Sequence, residues 1–202
     1  MRKEKIEELE SIINEFKTIR FSKLDCPSKF ITSDVYSCKL NNGKTIIREK
    51  LVKNNSDGSA AIVLPVTKEN NVVLTIEPRV FSKRTVGIGI PAGYVEETET
   101  AYIAALRELE EETGYVSNEL ISLGGFYQDM GCSSAYNELF IALDCEKKKQ
   151  QNLDPGEYIK YFECTFDEAL ELIDEDYIEG CNAIITLTRA KKHIKNKKIN
   201  KE

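Results

Sequence analysis

Between Pro91 and Tyr115 the chain reads PAGYVEETETAYIAALRELEEETGY, and three of its acids, Glu108, Glu111 and Glu112, are spaced for one face of a helix. Ala, Leu, Glu and Arg are strong helix formers, so the composition predicts a helix over 99–113, ended by Gly114 in a left-handed conformation. Ala101, Ala105 and Leu109 give it a narrow apolar stripe for close packing. Residues three and four apart share a face, so the three carboxylates converge, and each like-charge pair costs an isolated helix about 0.2–0.5 kcal/mol. Something must offset that repulsion. Hard divalent cations bind oxygen ligands, and Mg²⁺ typically combines one or two carboxylates with substrate phosphates and water. Arg107 could orient one carboxylate by a charge-assisted hydrogen bond. Three acids alone also admit a plainer reading, a solvated acidic face on an amphipathic helix.

The longer spacing separates the two. Gly93, Glu99, Arg107, Glu108, Leu109, Glu111, Glu112 and Gly114 fall position by position on Gly-x5-Glu-x7-Arg-Glu-aliphatic-x-Glu-Glu-x-Gly-aliphatic, with Tyr115 the one departure, in the last slot. This stretch resembles the Nudix box. A weaker resemblance, to the ADP-ribose pyrophosphatase branch of that superfamily, runs from about Lys44 to Lys192.

The resemblance implies an α/β fold, the Nudix α/β/α sandwich with a mixed sheet, and hydrolysis of a pyrophosphate link. Mg²⁺, with Mn²⁺ as the alternative, would be held by Glu108, Glu111, Glu112 and the backbone oxygen of Ala92. Gly93 lets that backbone turn without a Cβ penalty. Arg107 and Glu111 are catalytic candidates, Glu111 being either a ligand or an acid–base group held by Arg107. Glu99, one turn into the helix, supports the loop. Arg79 stands in Glu77-Pro78-Arg79, where the branch has Gln-Tyr-Arg, and is a candidate contact to substrate phosphate, with an ordinary surface arginine as the other reading. In the loop from Phe126 to Glu138, Gly131 keeps the glycine of the branch's Ser-Pro-Gly, but Met130 replaces the proline. Ala135 occupies the place of an acid that helps activate water. Glu138 is therefore the favoured general base, with Asp129 and Glu111 left open.

The implied substrate is ADP-ribose or a related nucleotide sugar, giving a nucleoside monophosphate and a sugar phosphate. A GDP-sugar or nucleoside triphosphate hydrolase is the alternative within the enzyme class, and a non-catalytic nucleotide sensor the alternative outside it. Early strands in the branch build a dimer, so the resemblance also implies a homodimer.

Composition fits this reading. A chain of 202 residues, 41% hydrophobic, makes one domain with at most a small appendage. A net charge of −6 argues against a general nucleic-acid binder, and no apolar run is long enough to span a membrane. Six scattered cysteines without a CxxC pair point to reduced thiols and a cytoplasmic protein, with no secretory signal expected. The single histidine, His193, lies in a basic tail and offers little for catalysis.

Three segments follow. Residues 1–57 form an N-terminal extension expected to serve dimerisation: an amphipathic helix over 3–19, a turn at Asn41-Asn42-Gly43 and a strand over 45–52. Residues 58–194 form the hydrolase domain, with strands over 60–66, 72–76, 139–143 and 158–164. A capping-box helix opens at Thr165 and a last helix at Asn182. Residues 195–202 form a frayed basic tail.

Overall fold

Every residue of Ala60–Thr67 (β3) is buried, as expected of a central strand covered on both faces by helices. The computed structural model describes residues 1, 3–28 and 30–199. From β3 the sheet extends through Asn71–Pro78 (β4) to Lys160–Thr165 (β10) on one side. On the other it passes through Tyr136–Lys147 (β9) to Tyr115–Val116 (β7). Leu120–Tyr127 (β8) pairs antiparallel with β9, whereas β3 and β9 run parallel, which makes the sheet mixed.

The two faces carry separate cores. On one, Ile62, Leu64, Leu74 and Ile141 pack with Lys3–Phe16 (α1), Phe166–Asp174 (α3) and Cys181–Ile199 (α4). On the other, Ala61, Val63, Val73 and Phe140 pack with Ala101–Thr113 (α2). This alternation of side-chain direction along each strand produces the α/β/α sandwich.

β3 and β4 share the single register pair Val66↔Val72. Beyond it they part: Val86–Gly89 (β5) pairs with β4 and Ala92–Tyr94 (β6) with β3. The sheet thus splits at the end where α2 begins, and the split makes room for a site.

The N-terminal segment divides in two. α1 docks on its own domain through Leu9, Ile13 and Phe16, all within the core. Ile31–Lys39 (β1) and Thr45–Lys53 (β2) form a separate antiparallel hairpin turning at Gly43, whose φ is +82°. β1 lies in a stretch with no strand expected from its sequence, because Asp34, Ser33 and Ser37 interrupt its apolar alternation. β8 and the longer β9 likewise extend strand into Phe126–Tyr127 and Tyr136–Glu138, expected as loop. The basic tail also departs from expectation: α4 continues to Ile199, since no Gly or Pro interrupts it. Residues 200–202 lie outside the described residues.

Candidate active site

α2 starts one residue pair later than its composition suggests. Thr100 is the N-cap, its side chain accepting a hydrogen bond from the Ile103 N–H, and Glu99 stays outside the helix. Threonine is a favoured N-cap, and Glu99 is engaged elsewhere, with the Glu96 N–H and with Arg107. Gly114 closes the helix with φ +69°, its N–H reaching the Glu110 carbonyl at 2.7 Å. Ala101, Ala104, Ala105 and Leu109 are the buried stripe. Three of these four are alanines, so the helix sits close on the sheet, and Glu108 and Glu112 are carried down with it, only 7% and 5% exposed.

β6 receives them. A Cβ on Gly93 would fall on the Glu108 carboxylate, so the glycine is required by this contact rather than by a left-handed φ. Ala92 supplies a backbone hydrogen bond to Glu112. Glu108, Glu112 and the Ala92–Gly93 backbone therefore meet at the split of the sheet, where their donors are all hard oxygens plus peptide groups.

Arg107 organises the rest. It bonds Glu99 through Nη2 at 2.7 Å and Nε at 3.3 Å, Glu108 and Glu111 through Nη1 at 2.7 and 3.0 Å, and the Tyr94 carbonyl at 3.2 Å. Such a fork holds three carboxylates in one plane of approach. The hydrogen bonds to Arg107 hold the Glu99 carboxyl below its ordinary range. With Glu111 turned to Arg107, no group of three or more His, Cys, Asp or Glu side chains among the described residues is gathered closely enough to hold an ion as it stands.

The electrostatics nevertheless call for a cation. Burial pushes the Glu112 carboxyl well above its ordinary value, and Glu108, Glu77 and Glu157 push it further. Burial likewise raises Glu108, against the pull of Arg107, and raises Glu77, against the pull of Arg79. Four acids thus act on one another, and the protein supplies two arginines on the flanks. The oxygen donor set and the excess of buried negative charge fit Mg²⁺ or Mn²⁺.

This arrangement has a pH signature. A carboxyl whose folded pKa lies above its unfolded value of about 4.5 binds its proton more tightly when folded. Its contribution to stability is therefore greatest at low pH and is lost as pH rises through the raised folded value. A cation competes with those protons, so the melting-point increase from Mg²⁺ over EDTA should be larger at pH 8 than at pH 5.5. Equal increases at both pH values would refute cation binding at Glu108 and Glu112.

Other expected site residues are spread around the split. Arg79 pairs with Glu77 at 2.6 Å, and its stem lies where a Gly87 side chain would be. Gly131 is in an exposed turn, its N–H bonded to Asp129 Oδ1 at 2.9 Å. Ala135 is fully buried. Glu138 sits inside β9, level with Ala61 on β3, which is in turn level with Gly93 on β6. It therefore shares the α2 face of the sheet but lies two strands from Gly93, roughly 10 Å away at normal strand spacing.

Two acids without an assigned role join the cluster instead. Glu77 lies at the end of β4, and Glu157 in the loop before β10. That loop is fastened to the end of α2: the Gln151 amide donates to the Glu112 carbonyl at 2.5 Å, and the Asn152 N–H to the Glu111 carbonyl at 2.9 Å. Glu157 stands at the start of the strand expected over 158–164, a place where, by the resemblance, relatives often carry an acid. Its approach to the box depends on the loop's path.

Tyr115, in the slot where the box has an aliphatic residue, is buried with its hydroxyl bonded to Glu163 and its ring edge-on to Tyr161 at 6.1 Å. A buried tyrosine is stable when its hydroxyl has a partner.

This geometry agrees with comparisons to known proteins. The chain is 35% identical over 147 residues to an ADP-ribose pyrophosphatase of Bacillus subtilis (strain 168), covering 72% of this chain and 77% of that protein. It is 32% identical over 174 residues to a methanol dehydrogenase activator of Bacillus methanolicus, covering 86% and 91%. A solved structure described as an ADP compounds hydrolase superposes with a TM-score of 0.72 over 87% of this chain and 92% of that one, at 19% identity, a likeness of fold. The profile of the NUDIX domain matches residues 57–182, and the chain accordingly belongs to the NUDIX family of hydrolases.

Proposed function

We propose that this hydrolase cleaves the pyrophosphate link of a nucleoside diphosphate joined to another moiety, foremost ADP-ribose or a related nucleotide sugar. The observation that carries the proposal is the seating of Glu108 and Glu112 against Ala92 and Gly93, where Arg107 reaches Glu108 while Glu112 is buried beside other acids. The similarity to the B. subtilis ADP-ribose pyrophosphatase supports the substrate class. Mg²⁺ or Mn²⁺ held by Glu108, Glu112 and the Ala92 backbone oxygen would supply charge against the phosphate oxygens and make water more acidic. Arg107 fixes the carboxylates, and Glu111 is held by it at the rim. Arg79, at the mouth of the split, orients a phosphate.

Water adds to one phosphorus, its proton passes to a carboxylate, and the bridging P–O bond breaks to release a nucleoside monophosphate and a sugar phosphate. Glu157 is the proposed acceptor of that proton, because the loop that carries it is fastened to the end of α2 through Gln151 and Asn152. The test is product analysis with Mg²⁺ on ADP-ribose, GDP-mannose, a diadenosine polyphosphate and dGTP. AMP and ribose 5-phosphate from ADP-ribose are the expected products. Faster release from another substrate would move the specificity, and binding without turnover would favour a sensor.

The methanol dehydrogenase activator among the relatives favours a second reading, in which the chain acts on a partner enzyme. An increase in an alcohol dehydrogenase's rate on adding this protein would support it.

The β1–β2 hairpin supports a homodimer. An isolated two-stranded sheet is marginal in water, and this one leaves Val35 and Ile47 67% and 60% exposed. Sedimentation should give a dimer, converted to monomer by Val35→Asp with Ile47→Asp. A wild-type monomer at micromolar concentration would refute this. No helix among the described residues is long and apolar enough to cross a membrane, and a cytoplasmic location remains part of the proposal.

A further inference from the structure

A cleft of about 300 Å³ opens between β5 and the turn that enters α4, and its inner end reaches Glu77 and Ala92. It is large enough for one half of a dinucleotide-like substrate. One wall is β5, with the Arg79 stem lying over Gly87, and the opposite lining includes Tyr177, Glu179 and Asn182. The Arg84 guanidinium lies over the Tyr177 ring, 4.5 Å from its centre, and the Tyr177 hydroxyl donates to Glu10 at 2.6 Å, so recognition in the cleft falls to its polar groups, Asn182 and Glu179.

The polarity of Asn182 is set from far outside the cleft. The Lys53 ammonium, which can only donate, bonds Gln128 Oε1 at 2.7 Å. Gln128 Nε2 must then donate, and it does so to the Gly58 carbonyl at 3.1 Å and to Asn137 Oδ1 at 2.8 Å. Asn137 is fully buried, and its Nδ2 donates to Asn182 Oδ1 at 2.9 Å. Each amide is oriented by the one before it. Because a lysine stands at one end and a backbone carbonyl on the side, the whole relay has one direction. Its last member keeps Asn182 Nδ2 free as a donor at the cleft. Glu179, on the same wall, can only accept while ionised.

We propose that this cleft holds the nucleobase of the substrate's nucleoside half, with Asn182 Nδ2 donating to an acceptor atom of the ring and Glu179 accepting from an exocyclic amine or a ribose hydroxyl. The inference rests on the nucleotide hydrolase reading above and assigns one end of that substrate. The Lys53–Gln128–Asn137 relay positions Asn182. Gln128 and Asn137 flank the loop that precedes β9, which makes that loop a specificity element through hydrogen bonding rather than through direct contact.

The test uses AMP and ribose 5-phosphate as separate probes, with binding measured by calorimetry on the full chain, so that no turnover is needed. Asn182→Asp still accepts from Asn137 but presents a carboxylate where the ring acceptor lies, and AMP binding should weaken about tenfold or more. Gln128→Glu never touches the cleft. Its carboxylate can only accept, so Asn137 must turn to donate to it. Asn137 Oδ1 then faces Asn182, which turns in response and offers Oδ1 to the cleft. AMP binding should weaken about fivefold or more, while ribose 5-phosphate binding stays within about twofold for both variants. Melting temperatures check folding, and Asn182→Asp decides alone if Gln128→Glu does not fold. AMP affinity unchanged in Asn182→Asp, or an equal loss for ribose 5-phosphate, overturns the assignment. If wild type hydrolyses ADP-ribose in that case, the cleft assignment alone has failed. Neither hydrolysis nor AMP binding by wild type would overturn both.

Discussion

Turnover by the Glu112→Gln variant is expected to fall about 10³-fold at saturating Mg²⁺, a loss typical of removing a main source of charge stabilisation from a phosphoryl-transfer site. Glutamine keeps the shape and the hydrogen bond from Ala92, so the packing of α2 on β6 should survive. It removes the negative charge that burial and three neighbouring acids make costly. In EDTA at pH 8 the variant should therefore melt no lower than wild type, because an uncompensated buried charge destabilises the fold that holds it. Its Mg²⁺-dependent gain in melting temperature should shrink as well. Wild-type kcat in this variant would remove Glu112 from the metal site, and a collapse of stability in EDTA would show that the carboxylate serves packing instead.

The second large effect concerns the proton acceptor. Glu157→Gln is expected to lower kcat about 10²–10³-fold with little change in KM, the usual range for losing a general base. Glu138→Gln should stay within about tenfold of wild type. The contrast follows from placement. Glu138 is fixed in β9 beside Ala61, with a strand between it and Gly93. Glu157 is on a loop tied down at both ends, by Gln151 to the Glu112 carbonyl and by Tyr158 to α1. Tyr158 donates to Glu15 at 2.5 Å and packs on Phe16 with ring centroids 4.9 Å apart. A large kcat loss in Glu138→Gln with a near-normal Glu157→Gln would reverse the assignment and restore the reading made from residue order alone.

That reversal of preference shows where linear reasoning stops. The box was legible because all its parts are local: a helix brings residues four apart onto one face whatever the rest of the chain does. The alanine stripe, the Gly114 cap and the capping box at Thr165–Glu168 were legible for the same reason. Gly93 could be picked out as a glycine of the box, but the cause of its identity, the Glu108 carboxylate lying against its Cα, comes from a contact fifteen residues away. β1 was missed because its faces are both exposed, so no burial pattern marks it. The order of strands around β3, with one parallel neighbour and a split beside it, leaves no trace in any single stretch.

The sequence by itself therefore determined the family, the acidic helix and the class of chemistry, since each depends on spacing within one element. Tertiary structure decided which acids share the site. Glu77 and Glu157 lie 35 and 45 residues from Glu112 in opposite directions along the chain, and only the divergence of β4 from β3 and the tether of the β9–β10 loop to α2 set them against it. It also decided the polarity of Asn182, because an amide has no preferred direction until a lysine from β2 gives it one. Long-range contacts of this kind carry no local propensity. They exist only once the sheet has closed and burial has made each remaining charge and each remaining donor find a partner.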